Sequence, residues 1–269
     1  MYAKWSSVAA LGFLICTLCI GCSVKEDRRG CPCALVYDFS RVDPGRSDSL
    51  FLGILSGTDD FCHGRIVHSQ DYSVPLRINV PRSGIWTNIY SDGAGTDTVS
   101  SMLSEDRSCL VIPAGEQCAA VYMFSAYVDT APETVVVPVM LHKNYSILTI
   151  RMLYGGDKSL SLSLEGNVNG YGKDGRPAEG LFSFAPDLDG EGCCRARIPR
   201  QTDGSLRLTL SDGDGVLREF AVGEYILQSG YDWNADDLED IDITIDYSKA
   251  DVTFVVNDWE MTFDIDVEI

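Results

Sequence analysis

Apolar and polar residues alternate along most of this chain of 269 residues. Between Ile241 and Tyr247, and again between Phe263 and Ile269, the apolar side chains fall on one face of an extended backbone and the polar ones on the other. A period of two residues is typical of half-buried β-strands. The same pattern, or a short apolar run bounded by turn residues, predicts further strands at residues 34–39, 50–55, 65–68, 76–80, 85–90, 119–127, 135–141, 146–153, 161–164, 206–210 and 220–227.

Turn-forming residues separate these strands, as in the Asp-Pro-Gly of residues 43–45 and the Lys-Asp-Gly of residues 173–175. Many short strands at regular spacing indicate antiparallel β-sandwiches, and a sandwich of seven strands takes about 100 residues. We therefore predict an all-β fold with two antiparallel β-sandwich domains in tandem, over residues 33–131 and 132–269. A short helix near residues 97–106 is the one helix that the pattern predicts.

The first 21 residues have the features of an export signal. Lys4 gives a basic start, and residues 8–20 are an uncharged run of 13 residues, shorter than the roughly 20 that a membrane-spanning helix needs. The segment from Cys19 to Cys22 resembles the lipobox of bacterial lipoproteins, with Cys19 where Leu is usual. We therefore predict that residues 1–21 are a lipoprotein signal peptide and that Cys22 becomes the lipidated N-terminus, carrying palmitate or a similar acyl chain. An ordinary cleaved signal beside a chance cysteine is the alternative.

Residues 22–32 are then expected to form a tether between the lipid and the first sandwich. Lys25, Glu26 and Asp27 resemble the surface-export signal of some Gram-negative lipoproteins. This likeness implies a surface-exposed protein, held by its lipid at the cell outer membrane. The alternative is a plain solvated tether, because charged residues simply stay in water. One acyl chain binds a membrane only marginally, but bacterial lipoproteins usually carry more than one.

The balance of charge excludes one class of partner. The whole chain has a formal net charge of −19, and its one charged signal residue, Lys4, is basic, so the mature chain is more acidic still. Binding to nucleic acid requires clusters of Lys and Arg against the phosphates. We therefore expect no nucleic acid partner, and we interpret the acidic residues as the solvated outer faces of strands.

The sequence holds no recognisable catalytic or metal-binding motif. It lacks a G-x-S-x-G elbow, a P-loop and an H-E-x-x-H motif, and it has only three histidines. We therefore expect no enzyme activity, no cofactor and no metal. Seven cysteines remain once those of the signal and Cys22 are set aside, and an odd number cannot all pair. Buried thiols with one or two disulfides are the expectation for an exported chain.

Several segments together resemble a known family. They are the mature start at Cys22–Asp27, the segment Cys31–Phe39, and then Tyr171–Pro177, Ile198–Gln201, Ser205–Leu210, Gly223–Ile226, Gly230–Trp233, Leu238, Asp240–Ile241, Ile245–Tyr247 and Trp259. In these positions the chain is similar to the fimbrillin-associated anchor lipoproteins, the minor subunits at the base of fimbrillin-type fimbriae. The resemblance covers most of the mature chain and is strongest from residue 134 to residue 269.

The resemblance implies transthyretin-like sandwiches and an outer-membrane lipoprotein that anchors fimbriae and limits their length. The implied partners are a fimbrial stalk subunit and, through the acylated Cys22, the lipid membrane. Cys22 is the one functional residue that the resemblance carries over to this chain. The alternative is a surface glycan-binding lipoprotein that would use exposed aromatic side chains such as Trp86, Trp233 and Trp259.

Overall fold

The structure is a computed structural model that describes residues 30–45, 47–58, 60–92, 98–154, 160–213, 215–247 and 252–263. The strands of its first half are β1 (Cys33–Asp38), β2 (Ser49–Ser56), β3 (Cys62–His68), β4 (Leu76–Val80), β5 (Ile85–Asp92), β6 (Leu110–Val111), β7 (Val121–Val128), β8 (Thr134–Pro138) and β9 (His142–Lys143). Those of its second half are β10 (Tyr145–Leu153), β11 (Ser161–Tyr171), β12 (Pro177–Phe184), β13 (Cys193–Pro199), β14 (Arg207–Asp212), β15 (Gly215–Phe220), β16 (Ile241–Asp246), β17 (Val252–Val256) and β18 (Trp259–Phe263).

These strands form four sheets. Sheet I has the order β4-β1-β8 and sheet II the order β3-β2-β5-β7-β9; they make up the N-terminal sandwich. Sheet III has the order β12-β11-β14-β15 and sheet IV the order β13-β10-β16-β17-β18; they make up the C-terminal sandwich. The predicted all-β fold with two sandwiches in tandem is confirmed.

The two sandwiches repeat one topology. Strands are counted here within each sandwich, and β6 is left out because it pairs with β11 of sheet III. In sheet I the first strand, β1, lies between β4, the antiparallel fourth strand, and β8, the parallel seventh strand. In sheet IV the first strand of the second sandwich, β10, has the same neighbours, with β16 as the parallel seventh strand. In the opposing sheets, II and III, the strands of each sandwich lie side by side in the same order: third, second, fifth and sixth. Two additions break the symmetry: β9 extends the edge of β7, and the hairpin β17–β18 extends the edge of β16.

The apolar residues of the alternating pattern form the hydrophobic core of the N-terminal sandwich. Leu50, Leu52 and Ile54 of β2 are fully buried and face sheet I, because alternate residues of a strand point to the same side. A hydrogen bond of 2.9 Å joins the hydroxyl of Tyr37 in sheet I to that of Thr87 in sheet II. It satisfies two buried polar groups that would otherwise be costly.

Two short α-helices accompany the strands. Helix α1 (Thr98–Met102) lies inside the predicted segment 97–106, which confirms that prediction. Helix α2 (Val222–Gln228) replaces most of the strand predicted at residues 220–227, so that prediction was wrong. Val222 and Ile226 are four residues apart and fully buried, a spacing that places both on one face of a helix.

The boundary between the two sandwiches differs from the one predicted from the sequence, which lay between residues 131 and 132. β8, assigned from the sequence to the C-terminal domain, pairs along its whole length with β1. Val137 and Val139 are buried in the N-terminal core. The N-terminal sandwich therefore includes Thr134–Pro138, and the second sandwich begins after it.

The seven described cysteines are all free thiols, so the expectation of disulfides among them is not met. Cys33, Cys118 and Cys194 are buried, and burial raises the pKa of Cys118 and Cys194 to about 12. Within the described ranges, no helix is both long and apolar enough to cross a membrane.

Candidate functional site

The lipidation residue Cys22 and the export residues Lys25, Glu26 and Asp27 all lie outside the described residues. Where the structure is described, the most elaborate arrangement of polar groups is the junction between the two sandwiches. We define this junction by the loop 104–109, the turn 172–176 between β11 and β12, and the segment 232–240.

The loop 104–109 lies flat on the outer face of sheet II, and glycine makes this contact possible. A Cβ atom on Gly53 of β2 would lie 2.2 Å from the carbonyl oxygen of Arg107. Gly64, opposite Gly53 on β3, would bring a Cβ to 3.1 Å from the Asp106 carbonyl oxygen. Arg107 has a φ of 57°, in the left-handed region that residues other than glycine seldom occupy. The loop is therefore held in a specific shape against the sheet.

Asp106 organises this loop through its carboxylate. It accepts hydrogen bonds from the hydroxyls of Ser104 and Ser108, both at 2.6 Å, and from the Ser108 backbone N–H at 2.9 Å. Partial burial raises the pKa of Asp106, but these donors outweigh that effect and hold the pKa well below its usual range. The loop is thus closed around an ionised carboxylate.

Asn88 of β5 connects the loop to the C-terminal sandwich. Its buried side-chain amide donates to the carbonyl oxygen of Ser108 at 2.7 Å and to that of Lys173 at 2.9 Å. Its amide oxygen accepts from the hydroxyl of Ser125 at 2.6 Å. Gly175, with a φ of 72°, packs so closely that a Cβ would lie 2.0 Å from the Ser125 oxygen. One side chain therefore joins sheet II, the loop 104–109 and the turn 172–176.

A strand pairing reinforces the same junction. β6 leaves the N-terminal half of the chain and pairs with the end of β11, Val111 opposite Gly170 and Leu110 opposite Tyr171. Tyr171 is fully buried, and its hydroxyl donates to the carbonyl oxygen of Asn144 and accepts from the Arg200 backbone N–H. A single cluster of buried residues consequently runs from Tyr90 of sheet II through β6 into the C-terminal core.

Arg200 and the carboxylate of Asp237 hold the segment 232–240 against the linker between the sandwiches. The Arg200 guanidinium donates to the carbonyl oxygens of Trp233, Ala235 and Asp236. Asp237 accepts from the Lys143 backbone N–H at 2.6 Å and lies 3.3 Å from the His142 ring. Since β9 also pairs with β7, the linker is fixed to both sandwiches.

The chemistry of these groups is structural. Among the described residues, no group of three or more His, Cys, Asp or Glu side chains could hold a metal ion. Among the described residues, the one hydrogen bond between a serine hydroxyl and a histidine ring joins half-buried Ser49 to exposed His68 at 3.1 Å, directly opposite each other on neighbouring strands.

The three tryptophans named from the sequence have different environments. Trp233 is buried against Tyr231, with ring centroids 4.6 Å apart. Trp259 packs partly against the C-terminal core. Trp86 is half-buried on the outer face of sheet II, edge-on to the exposed ring of Tyr127 at 5.3 Å. Of the three, only Trp86 belongs to an exposed aromatic pair.

Comparison with known proteins gives similarity in fold alone. No protein-family model matches the sequence, and no curated protein is similar to it in sequence. The fimbrial anchor protein Mfa2 from Porphyromonas gingivalis matches with a TM-score of 0.55 and 12% identity, over 86% of this chain and 99% of that one.

Two further solved structures match over similar lengths. A candidate polysaccharide-binding protein from Bacteroides thetaiotaomicron has a TM-score of 0.55 and 12% identity, over 88% of this chain and 99% of that one. A candidate adhesin from Bacteroides ovatus has a TM-score of 0.53 and 11% identity, over 88% and 96%. Nearly the whole of each protein is matched, so the likeness includes both sandwiches. This chain has the two-sandwich fold of a fimbrial anchor protein, in agreement with the family that its sequence resembles.

Proposed function

We propose that this chain is an outer-membrane lipoprotein that anchors fimbriae to the cell surface and limits their length. The observation that carries this proposal is the match in fold with Mfa2 over 86% of the chain. The lipobox-like segment that ends at Cys22 supports it independently. In this role the partners are a fimbrial stalk subunit and, through the acylated Cys22, the lipid of the membrane.

The position of β1 suits a tethered protein. β1 begins eleven residues after Cys22, a tether that spans at most roughly 40 Å when extended. β1 is the central strand of sheet I and is paired on both sides, with β4 and with β8. A pull from the lipid would therefore load two ladders of hydrogen bonds together, rather than peel an edge strand away one bond at a time.

The junction suits the transfer of load between the sandwiches. A flexible linker would leave two independent domains, but here β6, β9 and the segment 232–240 cross the junction. A continuous buried cluster also runs from the outer face of sheet II into the C-terminal core. A force applied to one sandwich is consequently passed to the other through packed side chains and hydrogen bonds. An anchor that holds a long fibre needs this property.

Cells that lack this protein test the proposal. They should release fimbriae into the medium, and the remaining fimbriae should be abnormally long, because nothing ends their growth at the membrane. Production of the wild-type chain from a plasmid should restore short, attached fimbriae. Fimbriae that stay attached and of normal length in the absence of the chain would refute the proposed function.

Glycan binding is the second candidate, and the exposed pair of Trp86 and Tyr127 favours it. Aromatic rings can stack on the apolar faces of sugars, and one matched fold is that of a candidate polysaccharide-binding protein. If this function holds, Tyr127→Ala should abolish saturable binding to a defined cell-surface polysaccharide. Tyr122→Ala is the matched control, since Tyr122 lies on the same strand and contacts Tyr145 instead. Unchanged binding by the Tyr127 variant would remove this candidate.

A further inference from the structure

An arginine without a counter-ion lies at the end of the N-terminal sandwich where β1 begins. Arg82, in the turn between β4 and β5, lines a cavity of about 480 Å³ together with residues 30–32 and the rest of the segment 79–83. Its Nε atom is buried and has no hydrogen-bond partner. Among the described residues, no carboxylate forms an ion pair with its guanidinium. The cavity therefore holds an unsatisfied cationic donor, which favours an anionic ligand.

The chemistry of Arg82 favours a phosphate group. A guanidinium can bind phosphate through two parallel N–H···O hydrogen bonds. One carboxylate competes nearby: burial raises the pKa of the Cys33 thiol, the charge of Arg82 opposes this effect, and that of Asp129 adds to it. The Asp129 carboxylate, however, accepts a hydrogen bond of 3.0 Å from the Ala131 N–H. The guanidinium of Arg82 therefore remains available to an added anion.

The cavity lies at the end of the sandwich where the chain from Cys22 arrives. Cys33, the first residue of β1, is paired with Val80, just before the turn that contains Arg82. Gly30, which lines the cavity, comes eight residues after Cys22, and such a segment spans at most roughly 29 Å. An acyl chain on Cys22 would consequently keep the cavity within that distance of the membrane.

Two aromatic side chains lie beside the same turn. Trp86 is directly opposite Tyr127 in the register of β5 and β7. The hydroxyl of Tyr127 packs over Gly84, where a Cβ atom would lie 2.1 Å from it, and Tyr127 is 58% exposed. Trp and Tyr are enriched at membrane–water interfaces, because one end of each side chain is apolar and the other forms hydrogen bonds. This end of the sandwich thus combines a free cation with interfacial aromatic rings.

The distribution of acidic residues favours the same orientation. The segment 232–240 holds no Lys or Arg, and its acidic residues are Asp232, Asp236, Asp237, Glu239 and Asp240. It contacts the linker that follows β8, and β8 runs parallel to β1, so this linker lies at the end of the sandwich opposite Cys33. An anionic membrane would repel the acidic segment and favour an approach by the end that contains Arg82.

We propose that this end of the N-terminal sandwich rests directly on the membrane, with Arg82 bound to the phosphate group of a lipid headgroup and the Trp86–Tyr127 pair among the headgroups. A lipid alone would leave the protein free to turn on its tether, whereas this contact fixes its orientation, with the acidic segment 232–240 facing away. A short tether keeps the headgroups at a high effective concentration, so even a weak site is occupied. The aromatic pair that favours the glycan candidate then faces lipid instead.

The choice of a lipid rather than a free phosphate ion rests on the proposed function, because it requires a chain that is tethered at residue 22. The unpaired charge of Arg82 and the position of the aromatic pair do not depend on that function. The test therefore supplies the tether artificially and includes free phosphate as a separate arm.

Quenching of Trp86 fluorescence on vesicles tests this inference. A chain that starts at residue 22, with Cys22→Ala and a hexahistidine tag in place of the acyl chain, is held on vesicles by a nickel-chelating lipid that has no phosphate. Acrylamide, an uncharged quencher in the water phase, reports the exposure of Trp86 by difference from the Trp86→Phe variant. On phosphatidylglycerol vesicles Trp86 should be quenched about threefold less than on vesicles of a galactolipid, which lacks phosphate, because only the first kind holds it at the interface.

Substitutions at Arg82 separate phosphate binding from simple proximity. Arg82→Gln should remove the protection of Trp86, and Arg82→Lys should keep most of it, because an ammonium group also binds phosphate. Arg77→Gln is the matched control, since it removes the same charge from an exposed residue of β4 outside the cavity and should leave the protection unchanged. Circular dichroism checks that each variant is folded. If Arg82→Gln is unfolded, the comparison of the two kinds of vesicle with the wild-type turn decides the matter.

The inference is overturned if acrylamide quenches Trp86 equally on the two kinds of vesicle, or if folded Arg82→Gln and Arg77→Gln variants are protected equally. It is also overturned if inorganic phosphate raises the thermal unfolding midpoint of the wild-type turn but not of Arg82→Gln, while vesicles give no protection, because the cavity then takes only a free ion. These results leave the anchoring proposal standing, since that depends on whether fimbriae are released in the absence of the chain. Conversely, fimbriae that stay attached without the chain would refute anchoring and leave the membrane contact of Arg82 unchanged.

Discussion

The side-chain amide of Asn88 donates a hydrogen bond of 2.9 Å to the carbonyl oxygen of Lys173, a residue of the other sandwich 85 positions later in the chain. Asn88 is buried on the outer face of sheet II, and Lys173 lies in the turn between two strands of sheet III. This buried amide has partners in both sandwiches. Moving one sandwich relative to the other would therefore leave buried polar groups unpaired, which costs free energy. This contact makes the junction testable by single substitutions.

Asn88→Ala should lower the free energy of unfolding by about 1–3 kcal/mol, because it removes the side-chain donor to the Lys173 carbonyl and leaves the buried Ser108 carbonyl with only the longer bond from the Tyr90 hydroxyl, at 3.3 Å. Urea unfolding of the soluble chain measures the effect. Asn79→Ala is the matched control, since Asn79 is exposed on β4 and should change stability by less than about 0.5 kcal/mol. Equal stability of the two variants would contradict the role given to Asn88.

Gly53→Ala should destabilise the chain by about 1–3 kcal/mol, because the new methyl group would overlap the Arg107 carbonyl and force the loop 104–109 off sheet II. The thermal unfolding midpoint, measured by circular dichroism, reports this. Gly57→Ala provides the comparison, since no atom lies within 4 Å of a Cβ there. A Gly53 variant as stable as the Gly57 variant would show that the loop does not lie on β2 as described.

Asp106 predicts a dependence of stability on pH. Its folded pKa is lowered, so its ionised form stabilises the folded state fully above the ordinary pKa of 3.8, and this contribution is lost as the pH falls below that value. Asp106→Asn should therefore be less stable than wild type at pH 7, and the difference should shrink below about pH 4. Urea unfolding at pH 7, 5 and 3 gives the comparison. A difference that stays constant down to pH 3 would mean that the carboxylate charge is not the cause.

The alternating pattern predicted a strand correctly where its buried apolar residues all lie on one face. The segment 241–247 is β16 as expected, with Ile241, Ile243 and Ile245 buried. The strand predicted at residues 220–227 was wrong, because the apolar residues at 222 and 226 fit a helix while their neighbours also fit a strand. Over so short a segment the two periods cannot be separated by pattern alone.

Long-range pairing explains what the sequence did not reveal. The partner of Val135 is Leu35, 100 positions earlier, so nothing local places β8 in the first sandwich. The same holds for Asn88, whose hydrogen-bond partners are 20, 37 and 85 positions away. The close approach of Gly53 to Arg107 could have been suspected from a glycine inside an apolar strand, which often marks a site where another backbone comes near.

Neutralising Lys25, Glu26 and Asp27 together should leave lipidation intact but keep the protein on the inner leaflet of the outer membrane. Protease treatment of whole cells measures this, because only surface-exposed protein is degraded. A matched variant that neutralises Asp43, Asp48 and Arg41, in the loop after β1, should remain as accessible as wild type. Equal degradation of all three proteins would make residues 25–27 a plain tether.

Cys22→Ala tests the central claim most directly, when fatty-acid labelling and fimbrial attachment are measured in the same cells. The account predicts that this variant takes up no fatty-acid probe and that its fimbriae appear in the medium. Cys31→Ala, which removes an exposed cysteine nine positions later, should behave as wild type in both measurements. A Cys22→Ala protein that still labels and still holds fimbriae on the cell would contradict the account.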